Sequence, residues 1–319
     1  MKKFLKWPVL ALVILLLAFR PILKSSKASF EASFAESCEA SCATSFEESR
    51  RASFKESWSD SLIKTLTLDQ KIGQLFMVAA WSDEKKESYN PTQIDALIKN
   101  NGIGGIIFFQ GGPVRQAKLT NRFQSKSKIP LLIGIDAEWG LGMRLDSTIS
   151  FPRAMTLGAS MDEKLIYEFG KEVARQCKRI GVHMNFAPVV DVNSNPKNPV
   201  ISNRSFGENA DRVTTCGMAY MKGMQDNGVL ANAKHFPGHG DTDADSHKEL
   251  PVVNKNYAQL SSNEFKPYRA LFENGLASVM VAHLSLPEFE KEAHVPSTLS
   301  KNIITGLLRD SLKFEGLVL

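Results

Sequence analysis

Cysteine is scarce, with four residues in a chain of 319. Cys38 and Cys42 lie one helical turn apart, and two thiols alone are too few for a structural zinc site. Cys177 and Cys216 fall inside helix-like patterns and read as ordinary buried thiols, so a disulfide framework is not supported. Charge is also modest: the formal total is +5 at pH 7. No basic cluster is interleaved with aromatic residues, and nothing motivates nucleic-acid binding. The apolar run from Val9 to Phe19 is shorter than the ~20 residues that span a bilayer as a helix. The length suits one barrel-sized domain preceded by a smaller segment.

That smaller segment has two parts. Lys2, Lys3 and Lys6 precede the Val9–Phe19 run, the basic-then-apolar order of a secretory signal, and Ser26-Lys27-Ala28 offers a small-x-small cleavage site. Residues 1–24 are therefore expected to be a signal peptide. The alternative is a retained membrane anchor, associating with lipid through residues 4–23. Either implies export, to a periplasmic or extracellular location. Residues 25–62 repeat serine at every fourth position from Ser25 to Ser61, mostly followed by an apolar residue such as Phe30, Phe34 or Trp58. A period of four drifts by ~40° per repeat against a 3.6-residue helix. An exposed helical or disordered spacer is expected.

From residue 63 onward, apolar runs alternate with helical patterns. Strands are expected at Leu75–Ala79, Ile103–Phe109, Leu131–Asp136, His183–Ala187, Val229–Lys234, Ser278–Ala282 and Gly316–Leu319. Between them Asp162–Arg179 reads as a helix, with Leu165, Ile166, Phe169 and Val173 at spacings of three and four and Ser160 or Asp162 as cap. Regular β/α alternation with continuous apolar strands predicts an α/β fold with a parallel sheet. Seven strands with polar residues at their C-terminal ends predict a (β/α)8 TIM-type barrel lacking its eighth strand. An open doubly wound sheet is the alternative.

The densest chemistry lies in Lys234-His235-Phe236-Pro237-Gly238-His239-Gly240-Asp241-Thr242-Asp243-Ala244-Asp245-Ser246-His247. Unpaired charges at this density are too costly to bury, and Pro237, Gly238 and Gly240 oppose a helix or central strand. A loop is expected, either a solvated surface loop or a site at the mouth of the strand before it. His235 and His239 are four apart, but metal binding by that spacing needs a helix, which the intervening Pro237 and Gly238 disfavour. Asp245 and His247 stand close enough for a carboxylate to orient and polarise an imidazole.

This run resembles the signature of the family 3 glycoside hydrolases, in their β-N-acetylglucosaminidase (β-N-acetylhexosaminidase) branch. So do Gly134-Ile135-Asp136-Ala137-Glu138, the Asn185–Asn193 stretch NFAPVVDVN, Asn203–Gly207, the opening LTLDQKIGQLFMV and the strand IGGIIFF. The resemblance covers residues 63–319. It implies His247 as general acid/base with Asp245 as its orienting partner. It also implies that Asp136, Arg144, Arg204, Lys234 and His235 hold the sugar. Asp191 would contact the sugar or fix its loop, and Glu138 would support the residues that do. His283, at the end of a strand, is read as facing the site or as a structural histidine; Asp243 and His294 are read as surface residues. The substrate implied is a glycan with a terminal N-acetylglucosamine, such as a cell-wall glycan, cleaved by an exo-acting, retaining β-N-acetylhexosaminidase without a cofactor. Leu141 departs from the family, where relatives often carry an Arg, so the aglycone side is expected to differ.

The implied nucleophile is an Asp just after a strand of the type Gly-Leu-Val-Leu, and the sequence ends at Gly316-Leu317-Val318-Leu319. A fragment or a decayed copy is expected. A phosphorylase of the same fold and a glycan-binding remnant are the alternatives, with a metal-dependent hydrolase behind them. The purified 319-residue chain is expected not to turn over an aryl N-acetylglucosaminide, and a rate above the buffer blank would contradict this.

Overall fold

The computed structural model describes residues 57–245, 249–292 and 294–319. The expected signal or anchor, most of the serine repeat and His247 lie outside the described residues. Among the described residues no helix is long and apolar enough to cross a membrane. The chain divides into two compact units, Met1–Leu66 and Thr67–Leu319. In the first, the end of the repeat forms the helix Trp58–Thr65. Its N-cap Ser57 accepts from the Asp60 amide, and none of its residues is buried.

The second unit begins with a capping box. Thr67 accepts from the Gln70 amide while the Gln70 side chain accepts from the Thr67 amide, starting the helix Leu68–Gln74. Seven strands follow: β1 Met77–Ala80, β2 Gly105–Phe108, β3 Leu132–Ile135, β4 Met184–Asn185, β5 Leu230–Phe236, β6 Ser278–Val281 and β7 Leu317–Val318. All pairs are parallel and the spatial order is the sequence order. A doubly wound sheet reverses its order at a switch point; this one does not, and the fold is of the (β/α)8 type. Each expected strand is present, with ends shifted by at most two residues. The expected β2 and β4 each lose three residues, β4 being cut to two, and β5 runs on through His235 and Phe236.

Helices cover the outside of the sheet. The helix Glu163–Arg179 starts at its expected cap, where Asp162 accepts from the Leu165 amide. Its buried stripe is Ile166, Phe169, Val173 and Cys177, whereas Leu165 is 49% exposed. Leu165 lies one position off that stripe and so turns to solvent. Cys177 and Cys216 are buried free thiols, as expected, and burial pushes the Cys177 thiol up to about 12.

Pleat alternation decides which residues reach the barrel axis. Phe108 of β2 stacks on Phe123 of the helix Pro113–Lys126, with ring centroids 6.5 Å apart, so it faces outward. Ile135 is its register partner on β3 and faces the same way. Phe109 and Asp136, the next residues along, therefore face the axis at the C-terminal rim. Phe108→Ala should destabilise the fold by about 3–5 kcal/mol. Leu165→Ala should stay within about 0.5 kcal/mol. Urea midpoints of the two variants test which residues belong to the core.

Candidate functional site

At the rim of β3 and β5 a lysine is withdrawn from water. Lys234 is 2% exposed. Its Nζ reaches Asp136 Oδ1 and Glu138 Oε1, each at 2.8 Å. The outer oxygens are held by arginines: Arg144 Nη2 donates to Asp136 Oδ2 at 2.6 Å. Arg204 grips Glu138 with Nη2 at 2.7 Å and Nε at 3.0 Å. Burial opposes ionisation of Asp136, but Lys234 and then Arg144 overcome it and hold the carboxyl below its usual range. Glu138 is likewise opposed by burial and held well below the usual range by Lys234 and Arg204. Both are therefore carboxylates at neutral pH. The turn between them is pinned by Asn185 of β4. Its Oδ1 accepts from the Ala137 amide at 2.9 Å and its Nδ2 donates to the Ala137 carbonyl at 3.2 Å. The buried Tyr220 hydroxyl is within donor range of the Ala137 and Glu138 carbonyls.

A second cluster abuts the first. Asp191 lies 2.7 Å from His235 Nδ1 and accepts from the His235 and His239 amides. Arg204 Nη2 stands 3.3 Å from His235 Nε2. A guanidinium only donates, so Nε2 must accept, and the ring is neutral with its proton on Nδ1. Burial pushes the His235 pKa down; Asp191 opposes this and the charges of Arg204 and Lys234 reinforce it. For Asp191 burial opposes ionisation, and His235 and the His239 amide overcome it. Since the His235 ring is neutral, N–H donors rather than an imidazolium keep Asp191 ionised.

Beyond β5 the chain enters the expected loop at Pro237. Two glycines let it pass close to its neighbours. Gly238 adopts φ +137 and a Cβ there would meet Glu264 Cγ at 2.6 Å. One on Gly240 would meet the Val192 carbonyl oxygen at 1.9 Å. Asn198 Nδ2 donates to the carbonyls of His239 and Thr242 at 2.8 and 2.9 Å. Lys255 bridges Asp241 and Glu264, 2.8 Å from each. The expectation that this loop stays unburied is corrected: Lys234, His239 and Thr242 are buried. Pairing removes the penalty on which that expectation rested.

The structure thus brings Asp136, Arg144, Arg204, Lys234, His235 and Asp191 together. Asp245 lies in the same loop, with its carbonyl accepting from the Glu249 amide; His247, its implied partner, is outside the described residues. Glu138, read only as support, bridges Lys234 and Arg204. His283 is exposed and bonds Thr298 at 3.0 Å. Asp243 is exposed, but it accepts from Asn195 at 2.6 Å and so helps to anchor the loop. Leu141 is buried on the Leu141–Met143 turn. His235 and His239 have ring centroids 6.0 Å apart. Among the described residues no group of three His, Cys, Asp or Glu side chains is placed to hold a metal. Asn185 opens the stretch NFAPVVDVN but its clamping role was not read from it, and the Asn198 staple had no signal beyond its place in an asparagine-rich segment.

Residues 67–319 match the family model described as the glycosyl hydrolase family 3 N terminal domain. Beta-hexosaminidase A of Pseudoalteromonas piscicida is 35% identical over 285 residues, covering 79% of this chain and 48% of that protein. A glycoside hydrolase family 3 beta-N-acetylglucosaminidase from Paenibacillus sp. str. FPU-7 superposes with a TM-score of 0.73 at 40% identity, covering 80% of this chain and 49% of that one. A beta-glucoside phosphorylase, solved with 2FGlc bound, gives a TM-score of 0.76 at 29% identity, with coverages of 82% and 48%. The chain spans about half the length of these relatives.

Lys234→Met should destabilise the protein by about 3–5 kcal/mol, because two buried carboxylates lose their shared cation. The pH dependence has two parts. His235 and His183 both have lowered folded pKa values. Their contribution is fully present above the unfolded value of about 6.5 and is lost as pH falls below it. Asp136, Glu138 and Asp191 are also lowered. They contribute above about pH 4 and lose that contribution as pH falls through their folded values. Denaturant midpoints should fall in two stages on acidification, and His235→Gln should shrink the upper one.

Proposed function

The chain belongs to glycosyl hydrolase family 3, and on that premise we propose that its site binds the terminal N-acetylhexosamine of a glycan for exo-acting, retaining hydrolysis. The observation that carries this reading is the charge-compensated Asp136–Lys234–Glu138–Arg204 cluster at the strand ends. Asp136 is an ionised acceptor, with 14% of its side chain exposed. A carboxylate there accepts from sugar hydroxyls, and Arg144, Lys234 and Arg204 donate to hydroxyl or amide oxygens. Their mutual bonds fix the groups before a ligand arrives, so little ordering is left to binding. Asp245 would orient His247, which gives and takes the proton of the glycosidic oxygen. The attacking carboxylate of such a reaction follows the strand equivalent to β7, on which this sequence ends. The residues named here serve binding, orientation and proton transfer. Export by residues 1–24, or anchoring through residues 4–23, would bring the site to cell-wall glycans.

A second reading within the same fold is phosphorolysis, favoured by the likeness to a beta-glucoside phosphorylase. A neutral imidazole in the acid/base role does not repel phosphate as a carboxylate would. Turnover that requires inorganic phosphate, in a chain extended past Leu319, would select phosphorolysis over hydrolysis.

Titration calorimetry with N-acetylglucosamine tests the binding step on the chain as it stands. Asp136→Asn removes a charge-assisted acceptor worth about 1.5–3 kcal/mol. Affinity should fall by about 10- to 100-fold, with a melting temperature recorded alongside to exclude unfolding. Unchanged affinity would remove Asp136 from the sugar site.

A further inference from the structure

Two aromatic residues at the site rim have no role in the cluster described above. Ala80 pairs with Phe108 and Phe108 with Ile135 in the strand register. The next residues, Trp81, Phe109 and Asp136, therefore form one row across the C-terminal ends of β1, β2 and β3. The Phe109 ring stacks on Trp81, with centroids 5.3 Å apart and planes 18° from parallel. The Arg144 guanidinium also lies over the Phe109 ring, 4.9 Å from its centre, and Arg144 holds Asp136. The row is continuous: indole, phenyl, guanidinium, carboxylate. Trp81 and Phe109 are only half-buried, unlike Phe108 beneath the helices.

The backbone holds this row rigid. The Phe109 amide donates to the Ala80 carbonyl at 2.8 Å and the Ser82 amide to the Gln110 carbonyl at 3.1 Å, one bond on each side of Trp81. The buried Ser82 hydroxyl accepts from the Gly112 amide at 3.1 Å. A platform fixed in this way loses little freedom on binding.

We propose that Trp81, backed by Phe109, is a stacking subsite for a second pyranose ring, beside the ring held by Asp136. The inference rests on the reading of the charged cluster as the site of a terminal N-acetylhexosamine. Neighbouring strands lie about 4.8 Å apart, so Trp81 stands two strand spacings, about 10 Å, from Asp136. That places its ring one sugar away from the hydroxyls Asp136 accepts. The C–H face of a pyranose is apolar and weakly positive, and the face of an indole is apolar and negative. No charged partner is needed there, and the ligand class is a β-linked hexosamine disaccharide or longer chain.

Titration calorimetry on the purified chain, with N-acetylglucosamine and its β-1,4-linked disaccharide, tests this. The unaltered protein should bind the disaccharide more tightly. Trp81→Ala should weaken the disaccharide about tenfold and leave the monosaccharide within about twofold. Trp81→Phe, which keeps an aromatic face, should restore most of the loss. If Trp81→Ala does not fold, as judged by its melting curve, Trp81→Leu keeps the apolar bulk without the ring and should show the same selective loss. Equal losses for both ligands, or no loss, would overturn the subsite while leaving the terminal-sugar reading intact. If neither ligand binds the unaltered protein, that reading fails first and the subsite with it.

Discussion

An ammonium group withdrawn from water is tolerated only where carboxylates enclose it, and Lys234 sits in such an enclosure. It emerges from β5 between Asp136 at the end of β3 and Glu138 two residues further on. The rest of the cluster is arranged around this pair of contacts. Asp136 is oriented by Lys234 on one side and Arg144 on the other. Glu138 is oriented by Lys234 and Arg204, and Arg204 in turn reaches His235. Four segments separate in sequence are thus registered against one nitrogen atom. Such a pairing adds little net stability over an apolar core, but its loss is severe, so it acts chiefly to specify geometry.

The His235–Asp191 pair extends that specification into the loop. Asp191 accepts from the amides at both ends of the turn, at His235 and at His239. The loop therefore leaves β5 in one direction. Asn198, Lys255 and the two close glycine approaches fix its next few residues against neighbouring segments. Loops rich in ionisable groups are ordinarily mobile and solvated. Here the first half is effectively part of the barrel wall.

Much of this was legible in the sequence, for reasons that differ by residue. The strands declared themselves as short apolar runs between helical patterns, and the cap at Asp162 as an acidic residue before an amphipathic stripe. Leu165 misled because spacing alone does not say where a stripe ends. Lys234, Arg204, Asp136 and Asp191 were found through their motifs. What the motifs could not convey was pairing: burial of a lysine inside a strand looks prohibitive until its two carboxylates are seen. Glu138 was underrated for the same reason, since its partner at Arg204 is 66 positions away. Phe109 was read only as the end of a strand, and Trp81 was not singled out. Only the register across β1, β2 and β3 puts them in one row with Asp136.

Counting signs within the cluster gives a last consequence. Asp136, Glu138 and Asp191 carry three negative charges; Lys234, Arg144 and Arg204 carry three positive ones, and His235 is neutral. The site is dense in ions yet balanced. An uncharged ligand entering it exchanges hydrogen bonds without disturbing that balance, so its affinity should be nearly indifferent to ionic strength. A ligand bearing a carboxylate or an ammonium would unbalance the charges of these seven residues. Among the described residues of the cluster, charge is thus compensated before any ligand arrives.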